Sequence, residues 1–146
     1  MPTWEEICTH IRQRFVISVD KARWLGLTWR FGGPEGPVYQ GQRVELAHAM
    51  GKPQVLILCD VVPEADLPLR EALEHNMTLA IGALALSQGT FVLRQVYPAD
   101  GLDFAQLDTA LEFLAHEAAR LRLQTTAARG LATMQRVLPD SLDGYE

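Results

Sequence analysis

Cysteine and long apolar runs are both scarce in this sequence. Of its 146 residues, two are cysteines, Cys8 and Cys59, and outside a disulfide framework we expect both thiols to stay reduced. The longest nearly apolar run, residues 77–86, is far shorter than the ~20 residues of a membrane-spanning helix. The first residues are acidic and polar, unlike a secretory signal peptide. These absences exclude a disulfide-stabilised scaffold and predict a cytoplasmic protein with no membrane partner.

Basic residues are in the minority. Thirteen Lys and Arg stand against eighteen Asp and Glu, which gives a net charge of -5 and a pI near 5.3. No three basic residues follow one another, so the chain lacks the basic face with which proteins neutralise nucleic-acid phosphates. The composition, 48% hydrophobic and 21% charged, is that of a globular domain. A chain of 16.3 kDa is long enough to bury a core without metal or disulfides.

The sequence offers no pattern typical of catalysis, cofactor binding or metal binding. Its four histidines stand apart, and Cys8 and His10, two residues apart on a predicted helix, point about 200° away from each other. The glycines at 32–36 precede no helix, so they form no phosphate-binding loop. Asp60 is either an acid with a raised pKa or a carboxylate that accepts backbone hydrogen bonds. We predict no catalytic residue, cofactor or metal; a thiol or metal enzyme around Cys59 or Cys8 is the alternative.

Three segments have the apolar spacing of amphipathic helices. Thr3 and Glu6 form a capping box in front of the first helix, at residues 4–15. The second helix, at 67–75, is short. The third begins after Asp103, and its apolar stripe consists of Phe104, Leu107, Leu111, Leu114, Ala118 and Leu121.

Between the helices the apolar period changes to two, which predicts strands. The first ends near Phe31, and the next two cover 38–46 and 55–62, the last being apolar on both faces like a central strand. Residues 77–86 and 90–97 form a hairpin. The predicted fold class is α+β, in the order α-β-β-β-α-β-β-α, with a five-stranded, mainly antiparallel sheet and the helices packed on one face.

This order resembles the type III secretion chaperone-like fold, including its YbjN-type branch. The detailed likeness runs from Leu73 to Leu123. The residues that carry it are Ala72, Leu73 and Asn76 in the short helix, Gly82, Leu84 and Leu86 in one strand, Gly89, Phe91, Val92, Leu93 and Arg94 in the next turn and strand, and Leu107, Leu111, Leu114 and Leu121 in the long helix. The resemblance implies a small acidic cytoplasmic homodimer that binds other proteins and has no catalytic residues. The N-terminal half departs most from the family pattern.

We therefore expect one chaperone-like α+β domain at residues 1–124. Residues 125–146 are expected to form a C-terminal extension, partly helical and then a flexible acidic tail, because the apolar pattern loses phase at Gly130. Leu131, Met134 and Leu138 are candidates to occupy the protein's own binding groove.

Two tryptophans define the candidate interaction surface. Five residues apart on one strand, Trp24 and Trp29 point to opposite faces of the sheet. Trp29 meets the helices, whereas Trp24 needs another cover. A homodimer partner or a client peptide supplies that cover, or else the turn at 32–37 or the C-terminal tail folds over it. The residues predicted for the protein-binding or dimer interface are Trp24, Leu56, Leu58, Leu69, Leu73, Leu79 and Ile81.

The predicted function is that of a non-catalytic, homodimeric chaperone-like protein. It holds a segment of a client, such as a secreted protein, in apolar grooves, and its short second helix lies near the dimer interface. The alternative is a small-ligand-binding or regulatory domain with a pocket between the long helix and the sheet, near Trp29, Tyr97 and Phe113.

Overall fold

The computed structural model describes residues 2–143, and the side chains of residues 2–128. The elements are α1 (Trp4–Arg14), β1 (Ile17–Asp20), β2 (Trp24–Gly33), β3 (Gly36–Ala49), β4 (Lys52–Pro63), a 3-10 turn (Glu64–Asp66), α2 (Leu69–Asn76), β5 (Ala83–Ser87), β6 (Thr90–Pro98) and α3 (Phe104–Asp143). The predicted α+β class and the order of the helices are confirmed. In the described part of the chain, no helix has the length and apolar character needed to cross a membrane.

The sheet has six strands in the order β1-β2-β3-β4-β6-β5, and all neighbours are antiparallel. The expectation of five strands was wrong because β1 gave no usable pattern. It has four residues, and its pairing with β2 shifts register between Ile17 and Val19. A segment so short is defined by the strand it pairs with, since its own alternation is too brief to recognise.

The start of β5 also differs from the prediction, and a glycine is the reason. The strand predicted from residue 77 begins at Ala83, directly after Gly82, which has a φ of +76°. A Cβ at this position would lie 2.7 Å from Leu114 Cδ2 and 3.1 Å from the carbonyl oxygen of Arg94. Only glycine accommodates both the left-handed backbone and the close approach to α3, so the chain turns here instead of extending.

The predicted starts of the first and third helices are confirmed, whereas the second helix begins at Leu69 instead of residue 67. The backbone N–H of Glu6 donates to Thr3 Oγ1 at 3.2 Å, and that of Ala105 donates to Asp103 Oδ1 at 2.9 Å. Each bond satisfies an amide that has no partner within the helix.

The core lies between α1, α3 and one face of the sheet. The strand side chains that fill it, Leu25, Leu27, Val44, Ile57, Cys59 and Leu93, are at most 1% exposed. Ile7 and Ile11 of α1 and Leu107, Leu111 and Leu114 of α3 pack against them. The helices thus cover one face, as predicted.

The helix α3 continues past residue 124, and its described backbone ends at Asp143. The side chains of Leu131, Met134 and Leu138, and the residues after 143, lie outside the described residues. The division of the chain at residue 124 stays a prediction.

Candidate functional site

The candidate site begins with the face of the sheet opposite α1 and α3, which we call the open face. The strand registers place its side chains in rows. One row consists of Trp24, Glu45, Leu56 and Val96, and the next consists of Gly26, Arg43, Leu58, Arg94 and Ala83. The apolar members Trp24, Leu56, Leu58 and Val96 are partly exposed. The open face therefore presents apolar side chains that α1 and α3 do not cover.

Trp24 is covered in part by an arginine. The guanidinium carbon of Arg43 lies 4.0 Å from the centre of the Trp24 ring, a cation–π arrangement. Arg43 also forms an ion pair with Glu45, at 3.4 Å. Its Nε is shielded from solvent and has no hydrogen-bond partner. The guanidinium is thus held in place by the indole while one of its donors remains unused.

The sheet forks beside Arg43. The ladder between β3 and β4 stops at the pair Arg43–Leu58. The β2–β3 hairpin nevertheless continues to its turn at Gly33 and Gly36, and β4 stays paired with β6 as far as Pro63. The facing edges of β3 and β4 therefore diverge, and unpaired strand edges are places where another chain can add.

Side chains fill the space between these diverging edges. The Nε2 group of Gln40 donates to the carbonyl oxygens of Asp60, at 2.9 Å, and Gly41, at 3.0 Å. Arg122 of α3 donates to the carbonyl oxygen of Tyr39 at 2.5 Å. The Oε1 atom of Gln40 has no partner, although the residue is only 1% exposed. An acceptor is thus buried at the fork without a donor.

These features surround one groove of about 900 Å³. It extends from Trp24 and Gly26 past Arg43 and Leu58 to the β5–β6 turn. Arg43 and Arg122 balance Glu45 and Asp60 in its lining. A groove with balanced charge, apolar side chains and unused hydrogen-bonding groups suits a peptide segment better than a strongly charged ligand.

A second candidate surface lies on α2. Leu69, Leu73 and Met77 recur every four residues at its outer side and are 62%, 60% and 88% exposed. We call these three residues the α2 stripe. Three large apolar side chains in one exposed row are unusual on a surface that contacts only water.

A partly buried ionic cluster fixes the inner side of α2. His75 Nε2 lies 3.1 Å from Glu117 Oε1 on α3, and Arg120 Nε donates to Glu117 Oε2 at 3.0 Å. The bonds from Arg120, and less strongly the contact with His75, hold the pKa of Glu117 below its ordinary value, although burial acts in the opposite direction. The cluster orients α2 so that the stripe faces outward.

Comparison with known proteins bears on both surfaces. The model of the Tir chaperone protein (CesT) family matches residues 39–122, which is more than half of the chain. The chain belongs to this family. The match begins within β3 and ends within α3, so it contains β4, α2, β5 and β6 but leaves out α1, β1 and β2. The resemblance to the type III secretion chaperone-like superfamily is thereby confirmed, while membership of its YbjN-type branch stays a prediction.

Comparison with solved structures supports the fold through one of two similar chains. A chain of the HopA1–SchA chaperone–effector complex is similar with a TM-score of 0.52 and 15% identity, over 78% of this chain and 88% of that chain. A chain of the ExsC–ExsE complex has a TM-score of 0.46 and 16% identity, over 66% of this chain and 74% of that chain. No curated protein sequence matches the chain.

The residues predicted for an interface fall in three places in this family member. Trp24, Leu56 and Leu58 lie together on the open face, and Leu69 and Leu73 lie on α2. Leu79 and Ile81 follow α2 and are partly buried against the core. The structure thus brings the first three together and separates them from the rest.

Sequence reasoning missed several residues of these surfaces. Met77 continues the spacing of Leu69 and Leu73, and extending the helical pattern by one turn would have found it. Gln40 and Arg122 had no such signal, since they meet at a fork between strands that only the tertiary structure creates.

The cysteines have the properties of core residues. Burial raises the pKa of Cys59 to about 12, and burial also raises the pKa of Cys8. Both side chains are at most 3% exposed. A thiol with these properties is neither ionised nor accessible at neutral pH, which argues against the thiol enzyme. Among the described residues, no three His, Cys, Asp or Glu side chains are grouped as metal ligands would be.

Proposed function

We propose that this CesT-family protein is a non-catalytic, cytoplasmic chaperone that acts as a homodimer and holds a segment of a client protein. The observation that carries the proposal is the apolar surface that the described chain leaves uncovered, on the open face and on α2, in a protein of this family. The similar HopA1–SchA structure is a chaperone–effector complex, so an effector-like secreted protein is the client class we propose.

The α2 stripe is the proposed centre of the dimer interface. A two-fold axis places the same row of side chains against itself, which makes such a stripe self-complementary. Covering Leu69, Leu73 and Met77 removes apolar area from water on both copies. Leu79 and Ile81 follow α2 in the chain, and we assign them to the margin of the same interface.

The groove on the open face is the proposed client site. Trp24, Leu56 and Leu58 supply apolar contact area, and aromatic anchors of this type contribute most to protein interfaces. An extended client segment also offers backbone N–H and C=O groups. Arg43 Nε is the shielded donor on this face that such a backbone can satisfy.

The dimer is tested by replacing Leu69 and Leu73 together with Glu. We expect light scattering coupled to size exclusion to give twice the 16.3 kDa chain mass for the wild type and the single chain mass for the variant. Leu123→Glu, which changes an exposed leucine of α3, is the matched control and should remain dimeric. A wild-type protein that stays monomeric at micromolar concentration would contradict the dimer.

The client site is tested with Leu58→Glu. Tagged wild type, Leu58→Glu and Leu123→Glu are expressed in the native host, and the proteins that co-purify are identified by mass spectrometry. We expect a secreted protein with the wild type and the Leu123 variant, and at least a tenfold loss with Leu58→Glu. Calorimetry with the purified client then measures the affinity. Equal binding by Leu58→Glu would place the client elsewhere.

Of the alternative ligand pocket between α3 and the sheet, the structure retains a hollow beside Tyr97 and Gln106 but fills the part near Trp29. Trp29 lies between Phe15 and Phe31, with ring centres 5.4 and 6.0 Å away, and its Nε1 donates to Gln42 Oε1 at 2.8 Å. Side chains therefore occupy the space around Trp29 that a ligand would need.

A further inference from the structure

A side chain from the end of α2 closes the outer edge of β5. Asn76 Oδ1 accepts a hydrogen bond from the backbone N–H of Leu84 at 2.6 Å, and Asn76 Nδ2 donates to the carbonyl oxygen of Leu84 at 3.2 Å. A carboxamide carries the same donor and acceptor as a peptide group. Asn76 therefore takes the place that one residue of an added strand would take.

The hairpin explains why Leu84 has both groups available. A two-residue turn joins β5 to β6, and its residues Gln88 and Gly89 have φ values of 50° and 81°, as a type I′ turn requires. In such a hairpin the flanking pair, Ser87 and Thr90, exchanges hydrogen bonds, and bonded and non-bonded pairs then alternate along the ladder.

Counting from the turn, the pair Leu84–Leu93 is a non-bonded pair. The N–H and C=O of Leu84 consequently point away from β6, and those of Leu86 do the same. β5 has five residues, so these two residues provide the places within it where a further strand can bond. Asn76 occupies one of them.

Among the described residues, α2 lies beside this edge, and β5 itself has few of the usual protections. Natural sheets shield their edges with charged residues, proline, bulges, very short strands or a covering helix or loop. The segment Ala83–Ser87 has no charged residue and no proline, and its pairing with β6 is regular. At the opposite edge of the sheet, β1 has only four residues and an irregular register, which is protection of the usual type.

The position of Asn76 is itself fixed. His75, the preceding residue, contacts Glu117 of α3 at 3.1 Å, so consecutive residues attach the end of α2 to α3 and to β5. Thr78 Oγ1 donates to the carbonyl oxygen of His75 at 2.7 Å and stabilises the turn that follows.

We propose that Asn76 is an edge-closing residue: by bonding Leu84 it prevents the β5 edge of one copy from pairing with the β5 edge of a second copy. A second copy is the occupant to exclude, because an uncharged edge pairs antiparallel with itself about a two-fold axis. The proposal concerns β5 alone and does not depend on the client or on the α2 stripe.

The test compares Asn76→Ala with Thr78→Ala, which removes a neighbouring side-chain hydrogen bond without touching β5. At low concentration, we expect amide exchange measured by NMR to be about tenfold faster at Leu84 in Asn76→Ala, the effect of one lost hydrogen bond, and unchanged in Thr78→Ala. In analytical ultracentrifugation, Asn76→Ala should form species heavier than the wild type as concentration rises. Wild-type exchange at Leu84, or a wild-type mass distribution, would overturn the proposal.

A second change identifies the surface that pairs. Adding Leu86→Lys to Asn76→Ala places like charges on the two facing edges and should return the mass distribution to that of the wild type. Heavy species that persist would mean that the copies associate elsewhere, which also overturns the proposal. If Asn76→Ala does not fold, amide exchange in the wild type provides the test. The Leu84 amide should then exchange at least tenfold more slowly than the Leu86 amide. Equal exchange rates would refute the proposal.

Discussion

The two faces of the sheet differ most clearly at neighbouring residues of β3. Gln42 faces the helices, and its amide accepts from Trp29 Nε1 and donates to the carbonyl oxygen of Leu111 at 3.0 Å. Arg43 faces the other way, stacks on Trp24 and keeps an unbonded Nε. On the covered face, the amide of Gln42 finds its hydrogen-bond partners within the chain. On the open face, the Nε donor of Arg43 is left unused. In the proposed function, the covered face therefore supplies stability and the open face supplies binding.

Truncating adjacent residues of β4 is the most direct test of whether the two faces contribute differently to stability. Ile57→Ala removes a fully buried side chain from the covered face and should lower the free energy of unfolding by about 3 kcal/mol. Leu58→Ala, on the open face, should lower it by less than about 1 kcal/mol, because its side chain is partly exposed already. Urea denaturation measures both. Equal losses would show that the open face is as well covered as the other.

Two glutamines on the helix-facing side of β3 compare a polar group that is fully bonded with one at the fork. Gln42→Met leaves the Trp29 N–H without its acceptor and removes the additional bond to the Leu111 carbonyl, and it should lower the free energy of unfolding by about 2–3 kcal/mol. Gln40→Met removes an acceptor that has no partner together with a donor that has two, so we expect about 1 kcal/mol. Thermal unfolding compares the variants. A larger loss for Gln40→Met would contradict the idea that the fork is incomplete in the free chain.

The third comparison concerns Glu117, which links α2 to the covered side. Because its pKa is lowered in the folded protein, Glu117 contributes stability above its ordinary value of 4.5, and this contribution is lost as pH falls through the lower folded value. Glu117→Gln should therefore cost about 1.5 kcal/mol at pH 6–7 and much less near pH 3. Denaturation across this pH range checks the trend, with the exposed Glu112→Gln as control. A difference independent of pH would contradict it.

Much of the fold could be predicted because the sequence patterns that indicate it, apolar spacing and helix caps, are local. The apolar stripe of α3 and the caps at Thr3 and Asp103 depend on residues within one or two turns of each other. The placement of Trp24 and Trp29 on opposite faces follows from alternation along one strand and is confirmed. β1 and the start of β5 were not predictable, since one depends on its partner strand and the other on the contact of Gly82 with α3.

The candidate site was predictable only in part. Alternation separates Trp24 from Trp29 and separates Leu56 and Leu58 from the residues between them, but only the strand registers place Trp24, Leu56 and Leu58 on one face. The fork at Gln40, the link from Arg122 and the closure of β5 by Asn76 join residues that are distant in sequence or lie on different elements. These contacts form at places where the hydrogen-bonded pairing of two strands ends, and a sequence does not show those places.

The sequence by itself determined the class of fold, the strong helices and the apolar character of both sides of β4, because periodicity and capping act between near neighbours. The tertiary structure alone decided which side of the sheet stays open, where β3 parts from β4 and which backbone groups of β5 receive a side chain. These outcomes depend on the packing of α2 and α3 against particular strands, and hydrogen bonds between distant residues leave no periodic trace in a sequence.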